Sequence, residues 1–208
     1  MARKQASNMP VTGGVRRRRL KTPRMNPNGS VVEYSALGGG VVTDSSGLWN
    51  GGRPFVPGSG NSLTNTVGPN IVSFYSTAKF LPGTKLRWEP SVSFNTTGRV
   101  YVGFTDNPEV MASIVGLTGT AYVNAVKGLG DVMSFPIWQE TDIPFPTKLR
   151  RKMFDVNATI TVTDVNAMDR SAQTFFFAAI DGAPASSSMG SFWFHDRLAV
   201  EGITPVVT

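Results

Sequence analysis

Period-two alternation of apolar and polar residues governs the chain from about Ile71 onward. In KLRWEP, Leu86 and Trp88 share one face, while Lys85, Arg87 and Glu89 share the other. GRVYVGFTD sets Val100, Val102 and Phe104 against Arg99, Tyr101 and Gly103. NATITVTDV alternates Ile160 and Val162 with Thr159, Thr161 and Thr163, and GSFWFHDRLAVEG places Phe192 and Phe194 opposite Trp193 and His195. SAQTFFFAAIDG is instead a continuous apolar run of strand length, as expected of a strand covered on both faces. Turn residues bound these runs in LPGT, FNTTG, TDNPE and IDGAP. Short strands with turns between them, and no helical crossovers, predict an antiparallel sandwich or barrel.

A helical period stands out in DNPEVMASIVG. Asn107 is placed to cap, Pro108 suits the first turn and Glu109 favours the positive helix end. Val110, Met111, Ile114 and Val115 form one apolar stripe, and Gly116 ends it. The predicted class is therefore all-β with one or two short helices.

Before Ile71 the pattern fades. Residues 1–29 mix basic residues with Pro10, Gly13, Gly14, Pro23 and Pro27, with no apolar period, and read as an arm that is disordered on its own. Residues 30–70 are rich in Gly, Ser and Asn and read as a partly ordered connector. Within it the short β-like pieces SVVEYSAL and GGGVVTD flank Gly38, Gly39 and Gly40. Residues 71–208 form the predicted sandwich domain.

Charge sharpens this division. Arg3, Lys4, Arg16, Arg17, Arg18, Arg19, Lys21 and Arg24 occupy a stretch without a single acid. Of the 20 basic and 14 acidic residues in the chain, 12 basic and all 14 acidic ones then belong to the rest, so the body is slightly acidic. Such an arm suits sequence-independent contact with nucleic-acid phosphates, and the same basic run also reads as a nuclear address. A second basic cluster, Lys148, Arg150, Arg151 and Lys152, reads as a solvated loop or a supplement to the arm. Only 16% of all residues are charged, against about 25% in ordinary soluble domains, which suggests a surface partly covered by neighbouring subunits.

Catalytic chemistry has little to work with. The chain has no cysteine and one histidine, His195, whose neighbour Asp196 falls on the opposite strand face, so the two make no dyad. No phosphate-cradling loop, nucleophile elbow or zinc spacing occurs. Asp106, Glu109, Asp131, Asp142, Asp164 and Asp169 could serve a hard cation, but none has calcium-loop spacing; inter-subunit calcium is the one cofactor left open. No apolar stretch is long enough for a membrane span or a secretory signal. The reading is of a non-enzyme with neither a membrane nor a small-molecule partner.

Two blocks resemble a known family. KLRWEPSVSFNTTGRVYVGFTDNPE carries Trp88-Glu89-Pro90, then Thr96-Thr97-Gly98-Arg99-Val100, then Asp106-Asn107-Pro108; MGSFWFHDRLAVEGITP closes the domain. With the basic arm ahead of them, they resemble the shell domain of tombusvirus and sobemovirus coat proteins. The resemblance implies an eight-stranded jelly roll, and a plant-virus capsid protein that self-assembles icosahedrally, found in the virion and, during assembly, in host cytoplasm. Its implied partners are copies of itself and single-stranded RNA bound by the arm. The family's calcium carboxylates do not map onto this chain, and the protruding domain that many tombusvirus coats append is not expected after Pro205. Two alternatives differ in class. One is a cellular nucleic-acid-binding protein with a β-rich body and basic tail; the other is a carbohydrate-binding sandwich using Trp49, Trp138 or Trp193 as stacking platforms.

Overall fold

The computed structural model describes residues 29–55, 75–146, 154–155 and 164–203. Among the described residues ten strands form two antiparallel sheets: β1 (Ser30–Val42), β2 (Trp49–Phe55), β3 (Tyr75–Phe80), β4 (Lys85–Pro90), β5 (Arg99–Thr105), β6 (Met133–Pro136), β7 (Thr141–Pro144), β8 (Phe154–Asp155), β9 (Thr174–Asp181) and β10 (Ser188–Ile203). Three short helices accompany them: α1 (Pro108–Val115), α2 (Gly119–Lys127) and α3 (Val165–Ser171).

The first sheet is built around β10, the longest strand. β1 pairs along one side of it, from Ser30↔Val200 to Val42↔Ser188. On the other side β4 pairs with the first part of β10, and β3 with the last part. β3 and β4 are thus one interrupted rank, broken at Leu81–Thr84, and β8 and β7 flank it in turn. Six strands make four ranks. The second sheet runs β2-β9-β5-β6. Two four-rank antiparallel sheets packed face to face make the jelly-roll sandwich expected from the sequence.

Alternation decides what lies between the sheets. Leu86, Trp88, Val100, Val102, Phe192 and Phe194 all point into the shared core and are buried. Phe55 sits at its centre, in ring contact with Phe80, Phe104, Phe145, Phe176 and Phe194 at centroid distances of 5.3–6.4 Å. The continuous run in β9 has the cause its pattern implies: Phe176, Ala178 and Ile180 face the sandwich core, whereas Phe175, Phe177 and Ala179 face the helices.

α1 forms where the period and cap place it. Asn107 Oδ1 accepts a 2.9 Å hydrogen bond from Glu109 N, and Met111 and Ile114 are buried. α2 and α3 lie in stretches that the sequence did not mark as helical. Gly, Thr, Tyr, Val and Asn give GTAYVNAVK low helix propensity, and α2 owes its form to Tyr122, Val123 and Val126 packing against β9. Of residues 157–165, read as a strand, 157–163 lie outside the described residues, and Val165 opens α3.

The predicted connector carries β1 and β2, which supply one edge strand to each sheet. The two pieces predicted on either side of the glycine run are one strand. The register slips by one residue between Leu37 and Gly39, leaving Gly38 as an extra residue in the pairing with β10. A side chain could not replace it, because a Cβ at Gly38 would lie 2.0 Å from the Phe194 ring. The glycines therefore let a continuous edge strand bulge over the Phe192–Phe194 wall.

Candidate functional site

The arm residues Arg3, Lys4, Arg16, Arg17, Arg18, Arg19, Lys21 and Arg24 lie outside the described residues, as do Lys148, Arg150, Arg151 and Lys152. The strands that flank them are described, and their register relates the two segments. Ser30, the first residue of β1, stands opposite Val200; Val200 stands opposite Ala78, and Ala78 opposite Phe154. One transverse row thus crosses all four ranks of the first sheet. At about 4.8 Å per rank, its two ends are about 14 Å apart. The chain enters this row at one edge, six residues after Arg24, and enters it at the other edge two residues after Lys152. Both basic segments lead into this row, one at each edge, and the second also leads away from β7, whose last residue Pro144 lies opposite Lys85 and, through it, His195.

The outward face of that sheet mixes apolar Val31, Leu37 and Trp193 with charged residues that are internally paired. Lys85 Nζ lies 2.6 Å from Asp142 Oδ2, Arg87 Nε 2.8 Å from Asp142 Oδ1, and Arg197 Nε 2.7 Å from Glu33 Oε1. The two cations hold the Asp142 carboxyl down at about 2, chiefly through the hydrogen bond from Arg87 and then that from Lys85. These cations are already engaged by acids, unlike the acid-free arm.

His195 lies on this outward face. Its Nδ1 shares a 2.7 Å hydrogen bond with Ser35 Oγ. Burial first, then Lys85 and Arg87, push its pKa down, which favours the neutral ring. Asp196 faces the core and is 3% exposed, so the adjacent pair forms no dyad, as the alternation requires. Among the described residues no group of three or more His, Cys, Asp or Glu gathers to hold a metal ion. Asp106 and Asp131 border one cleft of about 390 Å³, and Asp142 is engaged in its ion pairs elsewhere. No helix among the described residues is long and apolar enough to cross a membrane.

The three tryptophans considered for sugar stacking do not come together. Trp49 packs on Phe192 with centroids 6.0 Å apart, Trp138 is half exposed in the turn after β6, and Trp193 lies on the outward face of β10. Composition gave no sign of two buried polar features. One is Gln173, bonded to the backbone of Phe80; the other is Asp196, set directly opposite Tyr34. Asp196 could have been found from the period: it is the one charged residue in the inward series 192, 194, 196, 198 and 200.

No family model and no curated protein matches the sequence. Solved structures do match in fold. A tobacco necrosis virus structure superposes with a TM-score of 0.64 at 11% identity, covering 86% of this chain and 98% of that one. A mud crab tombus-like virus structure gives 0.67 at 11% identity, covering 89% and 95%. A cucumber necrosis virus structure gives 0.68 at 13% identity, with 86% of this chain aligned to 58% of a longer one. The body has the jelly-roll fold of these tombusvirus-like shell structures.

Proposed function

We propose that this chain is a structural coat protein that assembles with copies of itself into a closed icosahedral shell and packages single-stranded RNA through its basic arm. The row Ser30–Val200–Ala78–Phe154 carries the reading, because both acid-free basic segments lead into it, one at each edge of the sheet. A slightly acidic body with paired surface cations leaves phosphate neutralisation to those segments. Eight arm cations engaging single-stranded RNA would give a log–log salt slope of about −6. Such contacts are largely blind to sequence, which suits a long genome. The sparse charge of the body is that of a surface that meets neighbouring subunits. Residence in the virion, with assembly in host cytoplasm, belongs to the same reading. The fold is shared by structures named for tobacco, cucumber and mud crab, so a plant host rests on the two sequence blocks alone.

The test compares the full chain with a form lacking residues 1–24, by electron microscopy and nucleic-acid content. Closed particles containing RNA are expected from the full chain, with RNA lost on truncation. A full chain that stays monomeric at high concentration would sink the reading and favour the cellular nucleic-acid-binding alternative.

A further inference from the structure

Asp196 is the only charged residue among the buried described residues. It lies near the middle of β10, pointing inward between Phe194 and Leu198. Tyr34 of β1 stands directly opposite it in register. The phenol interacts with the carboxyl, yet Tyr34 Oη and Asp196 Oδ1 are both buried and outside hydrogen-bond geometry. Buried carboxylates ordinarily have a cation or several donors. Among the described residues this one has no cation, and the Tyr34 phenol is its one side-chain polar neighbour.

Among the described residues the surroundings supply no paired countercharge. Along β10, His195 and Arg197 project to the opposite face. On β1, Glu33 does the same and is paired with Arg197, while Lys85 of β4 is engaged with Asp142. On the other flank of Asp196 the neighbouring rank is interrupted at Leu81–Thr84. There Thr84 Oγ1 donates to Arg197 O and accepts from Arg197 N, both at 3.2 Å, and leaves Asp196 alone. The facing sheet contributes apolar residues to the shared core, among them Phe55, Val102 and Phe176. A cleft of about 480 Å³ lies beside the pair, bordered by Tyr34, Gly83 and Asp196 and, at its outer side, by Glu33, His195 and Arg197. The contact strained by a charge here is therefore the β1–β10 contact, and β1 follows directly on the basic arm.

We propose that Asp196 is a proton-operated latch on β1: protonated, it sits uncharged against Tyr34 and the edge strand stays docked, and ionised, it loosens β1 and the segment tethered to it. Burial lifts its carboxyl to about 6, with Tyr34 acting weakly in the other direction. Only the consequence for the arm rests on the coat-protein reading; release of the strand does not. Because the docked state binds the proton more tightly, opening of β1 becomes easier as pH rises through the window between about 4 and about 6.

Hydrogen exchange of the full chain, read on peptides spanning residues 30–42 and corrected for intrinsic rates, tests this. The population of open β1 is expected to rise about tenfold between about pH 5 and about pH 7.5. In Asp196→Asn, which is neutral throughout, the profile should be flat. A flat profile in the unmodified chain, or an unchanged tenfold rise in Asp196→Asn, would overturn the latch. Carbon-13 titration of the Asp196 carboxyl in the unmodified chain gives a second reading that needs no variant. An inflection near the ordinary value, about 4, would overturn it as well. RNA retention after loss of residues 1–24 bears on the arm alone, so the two readings fail separately.

Discussion

Gln173 holds both backbone polar groups of Phe80: its Oε1 accepts from Phe80 N at 2.7 Å, and its Nε2 donates to Phe80 O at 3.3 Å. Phe80 ends β3 in one sheet, and Gln173 precedes β9 in the other, with its own N–H donating to Phe55 O at 2.9 Å. β8 reaches only Thr77 and Ala78, so at Phe80 the side chain of Gln173 takes the place of the next strand. Gln173 is 4% exposed, so this contact is buried.

Gln173→Met keeps the volume and removes both bonds, leaving a buried N–H and C=O unpaired. The expected loss is about 3 kcal/mol in unfolding free energy, read by denaturant titration. A loss within about 0.5 kcal/mol, the level of ordinary surface substitutions, would show that the stitch between the sheets is not stabilising.

Trp88 makes a similar junction from the core. Its Nε1 donates to Ile137 O at 2.8 Å, and its ring lies 4.9 Å from that of Phe192, centroid to centroid. Trp88→Phe preserves an aromatic but orphans the Ile137 carbonyl in the β6–β7 turn. Unfolding free energy should fall by about 2 kcal/mol, with exchange protection lost first around Ile137.

Gly190 sits at φ 154° where β10 passes β4. A Cβ there would lie 2.4 Å from Glu89 O and 2.8 Å from the Trp88 ring, with backbone rather than a flexible side-chain end as the nearest obstacle. Gly190→Ala is expected to lower stability by about 2 kcal/mol or more. Thermal unfolding checks it against Gly40→Ala, whose added methyl meets nothing within 4 Å.

These positions show what a sequence can and cannot display. Leu86, Trp88, Val100, Phe192 and Phe194 were legible because a strand exposes its burial as a period of two. The Asn107 cap was legible because capping is local chemistry. α2 was not, since its helicity comes from the sheet it packs on rather than from its own residues. Nor could spacing show that Gly38 is a bulge rather than a break, because the cause is the Phe194 ring on another strand. Gln173 reads as part of an apolar run, and its partner is 93 residues away. For the basic segments, sequence supplied identity and charge, while register supplied the row of the sheet into which both lead.

Two carboxylates should move stability with pH in opposite directions. Asp196 has its pKa raised to about 6 by burial, so the folded state binds its proton more tightly than the unfolded chain does. Its favourable contribution is complete below the unfolded value and is lost as pH rises through about 6, by up to about 3 kcal/mol. Asp142 is held down at about 2 by Arg87 and Lys85, so its contribution is present above the unfolded value and lost as pH falls towards about 2. With side chains half exposed, that ion-pair network is worth no more than about 1 kcal/mol and is weakened by salt. Asp196→Asn should therefore raise the melting temperature near neutral pH and change it little near pH 4, where the native carboxyl is already protonated. Asp142→Asn should lower it slightly at neutral pH in low salt, with the difference fading in high salt. Melting curves for both variants across pH check the pair. An Asp196→Asn effect of the same size at both pH values would show that the buried charge is not what destabilises the β1–β10 edge.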